Sequence, residues 1–173
     1  YSLLFNGTNY ITSQNNLPAL DGKSFSVSVW VRRTGGFGAV GFRTIFSKGN
    51  GGTRGQLSLN FYDDAIHVGF WGPEYQTTVK VTDQNWHHLA ISFDSQTNLL
   101  NIYLDSKKIG NSYNLGGSLS NTNTFPLQLG VISGTGYFVG NIDDLRFFDT
   151  VILSGEVARL YAEGVGSGRF AER

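Results

Sequence analysis

The chain has 173 residues, with 13 Lys+Arg balancing 13 Asp+Glu, so its formal net charge is zero. That length suits one domain with a sizeable core. The composition excludes the basic excess of a nucleic-acid binder, disulfides and a thiol nucleophile, since cysteine is absent, and membrane insertion, since no apolar run nears the ~20 residues of a spanning helix.

Glycine is abundant, proline scarce and aromatics reach 14%, which favours strands joined by tight turns. "FSVSVWV" alternates, with Phe25, Val27, Val29 and Val31 on one face and Ser26, Ser28 and Trp30 on the other. The glycine-rich stretches Thr34–Gly41 and Gly49–Gly55 read as loops within one domain rather than as linkers. "QLSLNFY" places Leu57, Leu59 and Phe61 inward, and "AIHVGFW" places Ile66, Val68 and Phe70 inward. Asp63-Asp64 between them is a two-residue turn. It pairs Phe61 with Ile66 and Leu59 with Val68, and sets Asn60 opposite His67. "FWGPEYQ" reads as a loop around a Gly-Pro turn.

"HLAISF" and "LLNIYL" form the next hairpin, pairing Ile91 with Ile102, Phe93 with Leu100, Ala90 with Tyr103 and His88 with Asp105. Asp105-Ser106 turns the chain into "KKIGNSY", and "PLQLGVI" and "YFVGNIDDLRFFD" supply further strands. One helix is readable in "LSGEVARLYAEG". Ser154 is its expected N-cap, Val157, Leu160 and Tyr161 share a face, and Gly164 is the stop. The expectation is an all-β, antiparallel β-sandwich of the jelly-roll type with one short C-terminal helix. Residues 1–164 form the domain and 165–173 a flexible tail.

Taken in order, "YSLLFNGTNYI", "FSVSVWVR", "TIFSKGN", "NWHHLAISFD", "NIYLDSKKIG", "PLQLGVIS", "YFVGNIDDLRFFD" and "LSGEVARLYAEG" resemble the laminin-G-like jelly rolls of the concanavalin A-like lectin/glucanase superfamily. The resemblance covers Tyr1 to about Gly164. It implies two curved antiparallel sheets with ligands bound on a concave face or at loop rims. It also implies a sugar-binding or adhesive module of a larger secreted or surface protein. The chain has no methionine, which fits the expectation of a piece of a longer protein. Several relatives carry a structural calcium ion. By match of position its ligands here are Asp143, Asn6 and carbonyls near Gly7. Many relatives have Asp where this chain has Asn6 and Asn9.

The histidines draw attention first, because His87 and His88 are adjacent in "WHH". Neighbours on a strand point to opposite faces, so the pair cannot ligate one ion, and a zinc site needs three or four convergent ligands. The expected role is structural, with the His88 side chain hydrogen-bonded to Asp105. An enzyme reading fares no better. Glycosidases use two carboxylates flanking the sugar bond, and the glucanases of this superfamily carry a Glu-x-Asp-x-(x)-Glu motif that is absent here. Of the glutamates, Glu156, Glu163 and Glu172 lie in the helix and tail, and Glu74 stands alone.

The remaining signal is a face of small polar residues with scattered aromatics, which suits sugar rings and their hydroxyls. Trp71, Tyr75, His67 and Asn60 are the ligand-contact candidates, with Tyr137 and the Phe42–Arg43 segment on the same rim. The bland reading is an ordinary solvated face or a second layer beneath covering strands, with the loop aromatics folded back as a lid over the core. The sequence therefore points to a non-catalytic carbohydrate-binding, lectin-like module. A protein-binding adhesive or structural module of a surface or viral assembly is the alternative. A degenerate glycosidase relative is the weaker one. The expected partner is a glycan or polysaccharide, alternatively a surface protein, and the expected location is extracellular or at a cell surface.

Overall fold

Alternation decides which side of each strand becomes core. A computed structural model describes residues 2–15, 18–49, 51–120, 122, 125–168 and 170. In it the inward sets expected from period two are buried, among them Phe25, Val27, Val29, Val31, Leu57, Leu59, Phe61, Ile66, Val68, Ile91 and Phe93. The strands are β1 (Leu3–Asn6), β2 (Ile11–Thr12), β3 (Phe25–Arg33), β4 (Phe42–Gly49), β5 (Gln56–Tyr62), β6 (Ala65–Gly69), β7 (Glu74–Lys80), β8 (Trp86–Asp94), β9 (Leu99–Leu104), β10 (Lys107–Asn114), β11 (Leu127–Leu129) and β12 (Val139–Phe148). One helix follows, α1 (Ser154–Gly166).

The first sheet runs β1-β12-β3-β8-β9-β10 and the second β2-β11-β4-β5-β6-β7. All pairings are antiparallel. The sandwich is the expected one. Hairpin registers follow the apolar faces: Phe61 opposes Ile66, Leu59 opposes Val68 and Asn60 opposes His67, while Ile91 opposes Ile102 and Phe93 opposes Leu100. Both predicted two-residue turns have left-handed backbones, Asp63-Asp64 at φ 48° and 70° and Asp105-Ser106 at φ 48° and 70°. That geometry matches the right-handed twist of the flanking strands.

The outer face of the first sheet departs from expectation. Ser26, Ser28 and Trp30 were expected on a free polar face, but α1 covers it. Trp30 is 2% exposed, with the rings of Tyr161 and Phe170 stacked on it at 5.5 and 4.3 Å. Gly164 is not the helix stop. It lies inside α1, and a β-carbon there would sit 2.6 Å from the Trp30 indole. The glycine is needed for close packing, and the helix runs on to Gly166. The N-cap is Leu153 and no side chain caps the helix, so Ser154 does not fill that role. Within the stretch expected to be loose, Phe170 is buried.

The two sheets are tied at one end by a buried ion pair. Arg33, at the end of β3, donates from Nη2 to Asp64 Oδ1 at 2.9 Å. The same Nη2 also donates to the Gly36 carbonyl, and Nη1 donates to the carbonyl of Val81. The Phe37 and Phe61 rings flank the guanidinium at 4.5 and 4.6 Å. Asp64 also accepts from the Gly38 amide. Burial opposes the charge on Asp64, yet the bonds from Arg33 and Gly38 outweigh it and hold the carboxyl below its ordinary range. Lys48 is likewise fully buried and donates to the carbonyls of Thr122 and Phe125.

Removing one member of a buried pair strands the other charge. Asp64→Ala should therefore lower the unfolding free energy by about 3–5 kcal/mol, and Arg33→Leu with Asp64→Ala should recover part of that loss. Urea denaturation of the two variants measures both effects.

Candidate functional site

The outer face of the second sheet is where the sequence-predicted polar residues lie. Thr44 opposes Asn60, and Asn60 opposes His67. Next along the strands, Ser58 opposes Gly69, and Gly69 opposes Glu74. His67 is 5% exposed, and burial pushes its pKa down against the pull of Glu74. The imidazole is accordingly neutral near pH 7, and its contacts define the tautomer. Nε2–H faces Glu74 Oε2 at 3.4 Å, while Nδ1 accepts from the Asn60 amide at 3.3 Å. The same amide donates to Ser58 Oγ at 2.9 Å. The rings of Phe42 and Tyr62 roof the imidazole, with centroids 5.2 and 6.0 Å away.

Asn60 is therefore not on the surface as expected. It has no exposed area and serves as a support that orients His67. The loop ahead of β12 adds to the cover, since Thr44 N donates to Gly136 O and Ser47 Oγ donates to Val131 O. What reaches solvent lies at the end of this face. Trp71 is 47% exposed, and the Glu74 side chain is 46% exposed. The turn that carries them is closed by the Phe70 N to Pro73 O hydrogen bond. It leans on the neighbouring loop through Arg54 N to Trp71 O. The indole lies flat against Gly51, where a β-carbon would approach three of its carbons to 3.3–3.5 Å.

Trp71 itself is left-handed, at φ 54°. A bulky residue in that region costs about 1–3 kcal/mol, and such strain concentrates at ligand sites.

The other candidates separate. Tyr75 was expected beside Trp71, on a loop. Glu74–Lys80 is instead a strand, so Glu74 and Tyr75 point to opposite faces. Tyr75 packs against the core and stacks on Tyr113 of β10 at 4.5 Å, joining the edges of the two sheets. Tyr137 lies at the far end of the sandwich, tilted against Tyr10 at 6.4 Å. The alternation of "EYQTTVK" was the signal for β7 and for the His67–Glu74 contact, which the sequence reading missed.

The expected calcium ligands do not converge. Asn6 opposes Val139, while Asp143 opposes Trp30 four residues further along β12, about 13 Å away at strand rise. Asn6 Oδ1 already accepts from Thr8 N, Thr8 Oγ1 and Asn9 N, and Asp143 Oδ1 accepts from Asp144 N. Gly7 sits at φ 89° against Val139 as part of the same turn. These residues do not fit a shared ion. Among the described residues no group of three His, Asp or Glu converges on a metal position.

With fold and site in view, the comparisons take their place. A laminin-G model described as concanavalin A-like lectin/glucanases superfamily matches residues 5–158. The chain belongs to that superfamily. It is 25% identical to neuronal pentraxin-2 of Cavia porcellus, over 88% of this chain and 37% of that protein. It thus spans little more than a third of that relative. Among solved structures it is similar to domain 4 of an extracellular GH43 arabinanase from Geobacillus stearothermophilus, in complex with arabinotriose. The TM-score is 0.72 at 21% identity, covering 92% of this chain and 76% of that one. It is also similar to the CBM40 domain of the Ruminococcus gnavus IT-sialidase bound to α2,3-sialyllactose. There the TM-score is 0.74 at 13% identity, covering 92% and 95%. Identities this low show a shared jelly-roll fold. No helix among the described residues is long and apolar enough to cross a membrane.

The adjacent histidines end up in different protonation states. His87 sits between two carboxylates, with Nδ1 2.8 Å from Asp105 Oδ2 and Nε2 2.8 Å from Asp83 Oδ1. Burial works against its charge, but those two bonds outweigh it and raise the pKa to about 9. His88 points to the other face, under α1, with Nε2 2.7 Å from Ser28 Oγ and its ring beside Trp30 and Tyr161. Burial pushes its pKa down to about 4. Asp105 was expected to bond the His88 side chain. It bonds the His88 backbone amide and the His87 ring instead, because its left-handed turn swings the carboxylate to that side.

The sign of each contribution follows by linkage. The folded pKa of His87 lies above its ordinary 6.5. Its stabilisation is full below pH 6.5 and lost as pH rises through about 9. The folded pKa of His88 lies below 6.5, so its contribution is full above that pH and lost as pH falls through about 4. An NMR titration should show one histidine Cε1 signal moving near pH 9, removed by His87→Gln, and another moving near pH 4 or only on acid unfolding.

Proposed function

We propose that the domain is a non-catalytic, lectin-like carbohydrate-binding module, and that a saccharide docks on the rim formed by Trp71 and Glu74. The single observation that carries this is Trp71: a half-exposed indole held in a left-handed backbone. Its free face can stack on the C–H side of a sugar ring. The Glu74 carboxylate accepts hydrogen bonds from ring hydroxyls, and His67 behind it fixes the carboxylate in place. The reading is supported by jelly-roll neighbours solved with arabinotriose and with sialyllactose. Such modules serve larger extracellular or surface proteins, and that is the setting proposed for this one.

A second reading, a protein-binding adhesive module, is favoured by one observation. The edge strands β1 and β2 of the two sheets expose Leu3, Leu4 and Ile11, at 44, 65 and 41%, and open apolar edges invite pairing.

A glycan array, run with and without calcium chelator, separates the two readings. A blank array in both conditions puts adhesion ahead. For a glycan that binds, Trp71→Ala should weaken affinity by about 2 kcal/mol or more, in the range of tryptophan anchors. Trp71→Phe should keep part of it, and neither change should shift the unfolding midpoint appreciably. Calorimetry on the three proteins gives the answer.

A further inference from the structure

At the opposite end of the second sheet lies a cleft of about 320 Å³ lined by Gly7, Gly36, Arg43, Gly136, Tyr137 and Val139. Three of these are left-handed glycines, at φ 89°, 70° and 61°. They are required by space as well as by conformation. A β-carbon on Gly36 would lie 2.6 Å from Arg43 Nε, and one on Gly136 would lie 3.0 Å from Phe42 Cβ. The floor is therefore bare backbone, and the Arg43 side chain lies along it. Its Nη1 donates to the Phe42 carbonyl at 2.7 Å. The rest of the five-donor fork is uncommitted among the described residues.

The carboxylates nearby are already engaged. Asp64 belongs to Arg33, and Asp63 Oδ1 accepts from the Gly41 amide. Arg43 forms no ion pair among the described residues. A half-buried guanidinium without a counter-charge costs solvation, and its positive field reaches Arg33, where it adds to the effect of burial. Beside it stands Tyr137, half-buried, tilted against Tyr10, which is 51% exposed. Cation, aromatic surface and bare backbone floor thus meet in one cleft.

We infer that this cleft is a second saccharide subsite, selective for a sugar that carries a carboxylate or a sulfate ester. Arg43 receives the anionic group with its planar fork, and Tyr137 with Tyr10 supports the ring. The inference rests on the saccharide-binding reading above, but on different residues at the other end of the strands. Arg43 opposes Phe61, whereas the Trp71 turn follows Gly69, which opposes Ser58.

The test titrates the intact chain with four probes: a galacturonate trisaccharide, its methyl ester, a sulfated galactose trisaccharide, and inorganic sulfate alone. The acid should bind about tenfold more tightly than the ester, an advantage that fades with added salt. Arg43→Gln should abolish that advantage without shifting the unfolding midpoint. Arg43→Lys should restore only part, because it keeps the charge and loses the fork. Amide shifts of Gly36 and Tyr137 should move with the acid in the parent protein. Equal binding of acid and ester, or an acid preference that survives Arg43→Gln, overturns the inference. So does inorganic sulfate binding as tightly as the sulfated sugar, which would make the cleft an anion site and no sugar subsite. Comparable binding of the carboxylate and sulfated sugars supports the shared chemistry, and binding of one alone narrows it. A chain that binds neutral glycans through Trp71 without any acid preference loses this inference and keeps the broader reading. A chain that binds no saccharide loses both.

Discussion

One guanidinium with almost no access to water holds the end of the sandwich together. Arg33 belongs to the first sheet and Asp64 to a hairpin turn of the second, so their bond fixes the sheets against each other at that end. The consequences spread along the backbone. Asp64 holds the Gly38 amide and Arg33 holds the Gly36 carbonyl, which anchors the glycine-rich loop between β3 and β4. Arg43 then lies on Gly36. The cleft beside Tyr137 thus inherits its shape from a largely buried charge pair. Buried pairs of this kind contribute little net stability over apolar packing. Here the geometry they impose matters more than the energy they add.

The other constraint is which faces are left open. On the first sheet, α1 and Phe170 close over Trp30, and a glycine within the helix permits that approach. Tyr75 and Tyr113 seal the edge where β7 meets β10. Arg54 reaches from the loop ahead of β5 to the carbonyl of Leu115, linking the sheets again beyond that edge. The two surfaces proposed to bind ligand therefore lie at the two ends of the second sheet. Between them runs a buried polar seam, Ser58–Asn60–His67, whose hydrogen bonds order the residues that do face solvent.

The histidine pair shows how little residue type says without environment. Two imidazoles one residue apart differ in pKa by several units. One is wedged between carboxylates and the other is packed under an indole. Neither is arranged for metal or catalysis. Both stiffen the start of β8, on which α1 and the β9–β10 turn converge.

Period two and turn chemistry by themselves determined β3, β5, β6 and β8 to β12, their inward residues, two hairpin registers and the jelly-roll class. These are local properties: a side-chain face and a two-residue turn carry them within a few ångströms of chain. They also placed His67 opposite Asn60. Tertiary structure alone decided what covered each outward face. Trp30 and Ser28 alternate like solvent-facing residues, and only the return of α1 buries them. Tyr75 looked like a partner for Trp71 until strand alternation in β7 turned it inward. Asn6 and Asp143 looked like co-ligands until the register of β1 on β12 set them well apart. Exposure, convergence and charge state depend on groups distant in sequence. For that reason the chain announces its fold plainly, while Trp71 and Arg43, both legible as candidates in the sequence, are separated to opposite ends of the sheet only once the strands are paired.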